Sequence, residues 1–192
     1  FHRALEIAKT VRSEFPGIKI IIGGPHVTAC PEQTLLFDEF DFGILHEGEY
    51  TLLELLQTIN ESKNADCIKG LVFKDDNGKI ILTPKREYIT DLDSLPFPAY
   101  DLIEDISVYS PPPCNYKTLP VINMITSRGC PNQCTFCDNN IFGRKYRQRS
   151  AENIFEEIKF LVANYGIREI QFADDTFLID KNRLFRLFEL CR

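Results

Sequence analysis

The alternation of short β-branched runs with helix-like segments is the feature that most constrains the fold. Residues 18–22 form a β-branched run that ends at Gly-Gly-Pro, and residues 42–45 form a second apolar run that ends at His-Glu-Gly. Each run suits a short strand that is buried on both faces. Residues 49–60 then repeat leucine and isoleucine at helical spacing. Strand–helix–strand–helix order predicts an α/β fold with a parallel, doubly wound sheet.

The middle of the chain has a different character. Two apolar runs are joined by a segment that contains Asn77-Gly78, and such a pair accepts the positive φ angles of a tight hairpin turn. Six of the eleven prolines then lie in residues 91–120, where periodicity disappears. We therefore predict a partial α/β domain over residues 1–65, followed by a hairpin and a proline-rich linker over residues 66–120.

Strand–helix order resumes in the third part, residues 121–192. Its opening apolar run predicts a strand, and residues 151–164 carry apolar side chains in helical register. Ser150 is the expected N-cap of this helix and Gly166 the expected C-cap. A second strand is predicted over residues 169–173, and a further helix follows it. The third part therefore contains two strand–helix units.

Composition and charge exclude several classes of protein. The 192 residues are 44% hydrophobic and 26% charged, which is typical of a folded globular chain. No apolar run approaches the ~18–20 residues of a membrane span. The net charge of −6 provides no chain-wide basic field, so we expect no nucleic-acid partner. Seven cysteines without a signal-peptide pattern indicate a reducing, cytoplasmic location.

Both ends of the sequence lie within helix-like patterns. The chain has no initiator Met and opens on apolar residues at helical spacing, and it stops at Arg192 within a second such pattern. We therefore expect a piece of a longer protein, made of two incomplete domains. We also expect this piece to be inactive by itself.

Three cysteines lie within eight residues, directly after the first strand of the third part. Cys130, Cys134 and Cys137 form the pattern CxxxCxxC, and ligand-bearing loops lie at the carboxyl ends of strands in α/β folds. Thiolates bind soft metals and iron–sulfur clusters, and three ligands to a 4Fe–4S cluster leave one iron open. Three alternatives stay open: zinc with Cys114 or Asp138 as a fourth ligand, a redox pair of two thiols, and structural cysteines that cluster by chance.

The stretch from the first of these cysteines to residue 180, which begins CPNQCTFC and ends FADDTFLID, closely resembles the opening of the radical S-adenosyl-L-methionine (SAM) core. It is most similar to the subgroup whose core follows a cobalamin-binding domain. The resemblance implies that Cys130, Cys134 and Cys137 hold a 4Fe–4S cluster whose open iron chelates SAM. An electron from the cluster then cleaves SAM to methionine and a 5′-deoxyadenosyl radical, which abstracts a substrate hydrogen. The resemblance also implies that Phe136 packs near the adenine.

Other polar side chains near the cysteine loop are candidates for contacts with SAM. Asp174 and Asp175 follow the second strand, where the resembled family contacts the methionyl ammonium, and a carboxylate suits that cation. The alternative for this pair is a solvated loop or a helix N-cap. In the basic run 143–149, the resemblance suggests that Arg147 or Arg149 pairs with the SAM carboxylate, whereas the default for such a run is a solvated loop. One short run gives little support for RNA binding.

The first part contains GGPHVTACPEQTL and FDFGILHEGEYTLLELL, which resemble the second half of the cobalamin-binding domain found before such cores. The resemblance implies that Gly23, Gly24 and Gly48 let the backbone approach the nucleotide tail of cobalamin. Tight strand-to-helix turns are the alternative. The family's cobalt-ligating histidine lies in an Asp-x-His-x-x-Gly segment that this sequence does not contain, and we assign that role to neither His26 nor His46.

The resemblance as a whole implies an enzyme that transfers a methyl group to an organic substrate or rearranges it oxidatively. The expected substrates are small molecules, lipids or tetrapyrroles, with an external one-electron donor of flavodoxin or ferredoxin type. The expected fold is the C-terminal part of a doubly wound, Rossmann-like domain followed by the start of a partial (β/α) barrel.

Two other functions stay open. A tRNA-modifying methylthiotransferase fits less well, because its additional three-cysteine site has no counterpart among the scattered Cys30, Cys67 and Cys114. A non-catalytic iron–sulfur or zinc binding module is the remaining alternative. Uptake of iron and cleavage of SAM distinguish a radical enzyme from the non-catalytic module.

Overall fold

The structure is a computed structural model and describes residues 1–109 and 111–192. Ser110, which falls in the predicted linker, lies outside the described residues. Both ranges contain helices and strands, as the α/β prediction requires. No helix in these two ranges is long and apolar enough to cross a membrane.

The chain divides into two compact units that are not simply consecutive. The first unit comprises Phe1–Ile89 and Thr135–Phe142, and the second comprises Thr90–Cys134 and Gly143–Arg192. The structure thus joins the predicted hairpin to the first unit, together with the tip of the cysteine loop. The domain boundaries predicted from the sequence stay a prediction.

The first unit is built on one four-stranded sheet. Its elements are α1 (His2–Glu14), β1 (Ile21–Ile22), α2 (Pro25–Ala29), α3 (Pro31–Leu35), β2 (Phe42–Ile44), α4 (Glu49–Asn60), β3 (Leu71–Lys74) and β4 (Ile80–Leu82). Strands β1 and β2 pair in parallel, as the doubly wound prediction requires. Strand β3 pairs antiparallel with β2, and β4 pairs antiparallel with β3. The hairpin therefore extends the same sheet.

Apolar side chains on the two faces of this sheet form two separate clusters. One contains Leu5 of α1, Val27 of α2 and Leu35 of α3. The other contains Leu55 of α4 and Leu71 of β3. Because successive strand residues point to opposite faces, a sheet covered by helices on both sides needs continuous apolar strands. Strand β3, whose first three residues are all buried, meets that need.

Packing, rather than backbone conformation, requires glycine at position 43. A Cβ atom at Gly43 would lie 2.6 Å from Cγ1 of Val72 and 2.9 Å from Cγ1 of Val27. Gly43 lies in β2 and is paired with Val72 of β3. Helix α2 can approach the sheet at this point because no side chain lies between them.

The described residues of the second unit form two short pairs of strands and two α-helices. Its elements are three 3-10 turns (Tyr100–Leu102, Ile106–Tyr109 and Pro113–Asn115), β5 (Val121–Met124), β6 (Ser127–Arg128), β7 (Arg147–Gln148), α5 (Ala151–Tyr165), β8 (Glu169–Phe172) and α6 (Lys181–Leu190). Strands β5 and β8 pair in parallel on either side of α5 in the chain, as in a βαβ unit. Strands β6 and β7 pair antiparallel and close the base of the cysteine loop.

Helix α5 begins and ends at its predicted capping residues. The Ser150 hydroxyl accepts a hydrogen bond from the backbone N–H of Asn153 at 3.1 Å, and Gly166 adopts φ 62° at the C-cap. Helices α5 and α6 form one apolar cluster with strands β5 and β8, in which Met124 and Ile154 are buried. The carboxyl ends of β5 and β8 therefore lie side by side on a packed support.

A buried polar network ties the proline-rich segment to α5. Glu157, whose side chain is 1% exposed, forms an ion pair with Arg149 and accepts a hydrogen bond from the Tyr100 hydroxyl at 2.6 Å. Burial, followed by this hydrogen bond, raises the pKa of Tyr100. Arg149 Nε also donates to Asn153 Oδ1 at 2.6 Å. The segment that the sequence predicts as a linker is therefore anchored in the second unit.

We expect Gly43→Ala to lower the free energy of unfolding by about 1–3 kcal/mol, because the added methyl group overpacks the contact between β2, β3 and α2. Gly17→Ala is the matched control, since a Cβ atom at Gly17 meets nothing within 4 Å. Urea unfolding of both variants and of the wild type measures the difference. Equal stability of the two variants would contradict the packing argument.

Arg149→Met is expected to lower the free energy of unfolding by about 3–5 kcal/mol, because it leaves the buried Glu157 carboxylate without its counter-charge. Arg168→Met, at an exposed arginine of the same unit, is the control and should change stability by less than about 0.5 kcal/mol. The same urea titrations measure both variants. If the Arg149 variant is as stable as the control, the ion pair does not hold this segment in place.

Candidate functional site

The cysteine loop, residues 129–146, connects β6 to β7. Gly129 has φ 81°, and a Cβ atom there would lie 2.4 Å from the backbone O of Lys145. The backbone N–H of Cys130 donates to the backbone O of Gly143 at 3.2 Å. The base of the loop therefore requires glycine at position 129 and fixes the backbone of Cys130.

The thiol of Cys130 has a defined hydrogen-bond partner. Thr176 Oγ1, in the loop that follows β8, donates to Cys130 Sγ at 3.0 Å. This hydrogen bond, with smaller contributions from Asn132, lowers the pKa of Cys130. The charge of Asp175 acts in the opposite direction. Because the thiolate is the form that binds metals, these surroundings favour Cys130 as a ligand.

The other two cysteines of the motif lie farther along the loop and differ from Cys130 in exposure. Cys134 and Cys137 are solvent-exposed, and Cys137 Sγ donates to Asn139 Oδ1 at 3.1 Å. Among the residues that the structure describes, no group of three His, Cys, Asp or Glu side chains is close enough to hold a metal ion. The structure therefore fixes Cys130 at the loop base and does not gather the three thiols.

The chemistry of this donor set suits the predicted cluster. All seven cysteines of the chain are free, and three thiols are the ligand type that an iron–sulfur cluster takes. The thiol of Cys130 is already favoured as the thiolate, and the other two are accessible from solvent. Metal ligands are commonly gathered by the metal itself, so that binding completes the site.

The two acids that follow β8 have different surroundings. The Asp174 carboxylate accepts hydrogen bonds from the backbone N–H of Thr126 at 2.8 Å and from the hydroxyl of Ser127 at 2.6 Å. It thereby joins the end of β8 to the segment that precedes the cysteine loop. Asp175 is exposed, and its charge acts on Cys130. Of the two acids, Asp175 is the one that faces solvent beside the loop base.

Both arginines that were candidates for the cofactor carboxylate have protein partners. Arg147 of β7 is 5% exposed, and its Nε donates to the backbone O of Lys145 at 3.4 Å. Arg149 forms the buried ion pair with Glu157. By contrast, the Phe136 side chain on the loop tip is 92% exposed. The fold therefore engages the two guanidinium groups internally and leaves the phenyl ring accessible.

Sequence reasoning missed three residues that organise the site. Arg183 Nη1 donates to the backbone O and the hydroxyl of Thr126 at 3.1 and 3.2 Å, and Nη2 donates to the backbone O of Phe177 at 3.2 Å. Arg183 has no signal in the sequence, because it resembles a surface residue of an amphipathic helix. Thr126 and Thr176 are the other two. Thr176 could have been found from the sequence, because it directly follows the acid pair at the end of a predicted strand.

The three glycines predicted near cobalamin lie at one edge of the first unit's sheet. Gly23 and Gly24 follow β1 and Gly48 follows β2, and the carboxyl ends of parallel strands meet at the same edge. Gly24 has φ 99°, which glycine adopts readily, and a Cβ atom there would meet nothing within 4 Å. A Cβ atom at Gly48 would lie 3.0 Å from Cγ2 of Ile44. The backbone is therefore most accessible to a ligand at Gly24.

His26 and His46 both have partners within the first unit. The ring of Phe1 stacks on His26 with centroids 4.1 Å apart. His46 Nδ1 donates to the backbone O of Asn140 at 2.7 Å, and burial is the main cause that lowers the pKa of His46. The Tyr88 hydroxyl donates to the same backbone O at 3.2 Å. The first unit therefore holds the tip of the cysteine loop.

Two protein families match this chain. Residues 124–192 match the Radical SAM superfamily, and residues 1–56 match the B12 binding domain. The first match contains the cysteine loop and the acid pair, and the second contains the three glycines at the sheet edge. Both families are the ones that the motifs predicted.

Curated relatives match almost the whole chain. It is 37% identical to the uncharacterized methyltransferase PH0819 of Pyrococcus horikoshii, over 94% of this chain and 38% of the relative. It is 29% identical to cytidylyl-2-hydroxyethylphosphonate methyltransferase of Streptomyces wedmorensis, over 98% of this chain and 40% of the relative. It is 30% identical to the anaerobic magnesium-protoporphyrin IX monomethyl ester cyclase of Rubrivivax gelatinosus, over 97% of this chain and 33% of the relative. The chain thus spans 33–40% of the length of these relatives.

Solved structures share the fold. The cobalamin-dependent SAM radical enzyme OxsB, with aqua-cobalamin and SAM bound, matches with a TM-score of 0.80 at 22% identity, over 98% of this chain and 27% of that one. The radical SAM methyltransferase TsrM of Kitasatospora setae, with cobalamin and a [4Fe-4S] cluster bound, matches with a TM-score of 0.66 at 20% identity, over 97% of this chain and 35% of that one. The predicted fold class is confirmed. Residues 124–192 therefore carry part of the Radical SAM superfamily core and residues 1–56 part of the B12 binding domain, the pair of domains that the motifs predicted.

Proposed function

We propose that the protein containing this chain is a cobalamin-dependent radical SAM enzyme. It reductively cleaves SAM for the radical methylation or oxidative cyclisation of a small organic substrate, with lipids and tetrapyrroles included in that class. The named relatives are methyltransferases and a cyclase. The observation that carries the proposal is the position of Cys130, the first thiol of CxxxCxxC. It lies beyond the carboxyl end of β5 and accepts a hydrogen bond from Thr176, beyond the end of the neighbouring β8.

Cys130, Cys134 and Cys137 are the proposed ligands of a 4Fe–4S cluster. Three protein ligands leave one iron with an open position, by the logic that leaves catalytic zinc an open site. When bound, the cluster supplies the electron that cleaves SAM. The protein supplies the rigid loop base, where Gly129 and the backbone bond of Cys130 fix the first ligand.

Asp175 is the proposed contact for the methionyl ammonium of SAM. A carboxylate accepts charge-assisted hydrogen bonds from an ammonium group, and Asp175 is exposed near Cys130. Asp174 already accepts hydrogen bonds from Thr126 and Ser127. We therefore propose that Asp174 shapes the site and that Asp175 touches the cofactor.

Three further contacts with SAM are predicted from the sequence. The exposure of the Phe136 ring supports the first, and we revise the other two, which involve Arg147 and Arg149. Phe136 is proposed to pack near the adenine, because its exposed ring offers a large apolar surface for a second ring system. Arg147 and Arg149 are proposed to position the loop base and α5 instead of binding the SAM carboxylate. Both guanidinium groups already bond to protein oxygens.

Cobalamin is the proposed ligand of the first unit. The match to the B12 binding domain supports this assignment, as does the accessible backbone at Gly24. We propose that Gly23, Gly24 and Gly48 let the nucleotide tail approach the sheet edge. The segment that would carry a cobalt-ligating histidine is not part of the sequence.

We propose domain boundaries that follow the two units. Strands β3 and β4 complete the sheet of the first unit, and Tyr100 anchors the proline-rich segment in the second. The first domain therefore ends near residue 89 instead of residue 65. The predicted linker, residues 66–120, is divided between the two domains.

An external one-electron donor of flavodoxin or ferredoxin type and a cytoplasmic location complete the proposal. Reduction of such a cluster needs a low-potential electron source, and seven free cysteines suit a reducing compartment. The net charge of −6 offers no chain-wide attraction to nucleic acid, so we propose no tRNA substrate.

The full-length protein, reconstituted anaerobically with iron and sulfide, is expected to hold a 4Fe–4S cluster and to cleave SAM to 5′-deoxyadenosine. Cys134→Ala should abolish both the cluster and the cleavage, because it removes one of three ligands. Cys191→Ala, at an exposed cysteine outside the loop, is the matched control and should retain both. Iron and sulfide analysis and chromatography of the products are the measurements.

Three results of this experiment would refute parts of the proposal. Zinc in place of iron, or an intact cluster that never cleaves SAM, would leave only a metal-binding module. Iron that survives Cys134→Ala would refute the ligand assignment. Failure of the full-length protein to take up a corrinoid, followed by visible absorption, would remove cobalamin from the proposal.

Asp175→Asn is expected to weaken SAM binding about 10–100-fold, which corresponds to the ~1.5–3 kcal/mol of a hydrogen bond to a charged group. Asp174→Asn is the matched variant and should lower the free energy of unfolding instead, because it weakens the bonds to Thr126 and Ser127. Equilibrium dialysis with SAM and urea unfolding separate the two effects. Wild-type affinity in the Asp175 variant would refute its contact with the ammonium.

A further inference from the structure

We propose that Thr176 tunes the reduction potential of the iron–sulfur cluster through its hydrogen bond to Cys130. The inference rests on the proposed function, because it takes Cys130 as a cluster ligand. Its basis is geometric: Thr176 Oγ1 lies 3.0 Å from Cys130 Sγ and is the donor. Both residues belong to the second unit.

The backbone around Thr176 is held on both sides. Two residues before it, Asp174 is fixed by its bonds to the segment that precedes the cysteine loop. Directly after it, the ring of Phe177 stacks on Phe172 with centroids 4.2 Å apart, and the backbone O of Phe177 accepts a hydrogen bond from Arg183. The fold therefore aims the hydroxyl at its acceptor before any cluster binds.

The acceptor sulfur is also held in place. The backbone of Cys130 bonds to Gly143, and the positive φ of Gly129 brings the two sides of the loop base together. The hydrogen bond thus joins two fixed positions, one beyond each of the parallel strands β5 and β8. Thr176 and Cys130 are both partly shielded from water, and a hydrogen bond is electrostatically stronger where water is partly excluded.

A hydroxyl that donates to a ligating sulfur favours the reduced cluster. A ligating thiolate carries no proton, so the proton of this hydrogen bond belongs to Thr176. When one electron passes from the external donor to the cluster, the hydroxyl keeps its proton and no covalent bond forms or breaks. The added negative charge is shared by the sulfur ligands, so the hydrogen bond strengthens and the reduction potential rises.

Thr176→Val removes the donor and keeps the shape of the side chain, whereas Thr176→Ser keeps the hydroxyl. Redox titration of the reconstituted full-length protein, followed by EPR spectroscopy, measures the midpoint potential of the cluster. We expect Thr176→Val to shift the reduction equilibrium about tenfold toward the oxidised cluster, or ~59 mV downward for one electron, with Thr176→Ser within about twofold of the wild type. Thr118→Val is the control, because Thr118 lies at the amino end of these strands, where its N–H donates to Glu169.

The outcomes separate this inference from the proposed function. A midpoint of Thr176→Val at or above the wild-type value, with full iron and sulfide content, would overturn the tuning role and leave the cluster assignment intact. If Thr176→Val assembles no cluster, Thr176→Ala is titrated in its place. Failure of both variants beside normal assembly of Thr176→Ser would show a role in cluster retention and overturn tuning. A wild-type protein without iron and sulfide would refute the proposed function instead.

Discussion

The arrangement of the site depends on the hydrogen bonds that the Asp174 carboxylate accepts from Thr126 and Ser127. Strands β5 and β8 share a ladder of only four paired residues. Beyond that ladder, Asp174 accepts hydrogen bonds from Thr126 and Ser127, which extend the link between the two chain segments past the end of the sheet. The cysteine loop begins at Gly129, and Asp175, the proposed contact for the SAM ammonium, directly follows Asp174. One carboxylate therefore sets the spacing between the two loops that carry the proposed chemistry.

A buried arginine reinforces this link from α6. Arg183 donates to Thr126 and to the backbone O of Phe177, so both loops bond to the first turn of one helix. Burial of a guanidinium is costly unless its donors meet oxygen acceptors. Nη1 and Nη2 of Arg183 meet acceptors that belong to the site, whereas its Nε is buried without a hydrogen-bond partner among the described residues. Arg183 thereby joins the segment before the cysteine loop to the segment after β8, whereas Cys134 and Cys137 are exposed. A hydrogen-bonded backbone at the first ligand and exposure at the other two suit a cluster that gathers its own ligands.

Short-range patterns predict much of the fold and part of the site. Apolar spacing and capping residues place α4 and α5, because these signals depend on residues within one or two turns. Such patterns cannot distinguish Asp174 from Asp175; the contacts that separate the two acids come from residues 48 and 47 positions earlier. Arg149 likewise resembles part of a solvated basic run. Its partner Glu157 lies on another element, and Tyr100 joins them from a segment 57 positions before Glu157.

The tip of the cysteine loop belongs to a different unit from the sequence on either side of it. The tip, Thr135–Phe142, belongs to the first unit, where the backbone O of Asn140 accepts hydrogen bonds from His46 and Tyr88. His46 lies two residues after the end of β2, in the part that matches the B12 binding domain. The segment that carries Cys137 is therefore held by the cobalamin-type domain, although the motif belongs to the radical SAM core. His46 and Tyr88 therefore support the segment that carries Cys137 without being among the proposed cluster ligands.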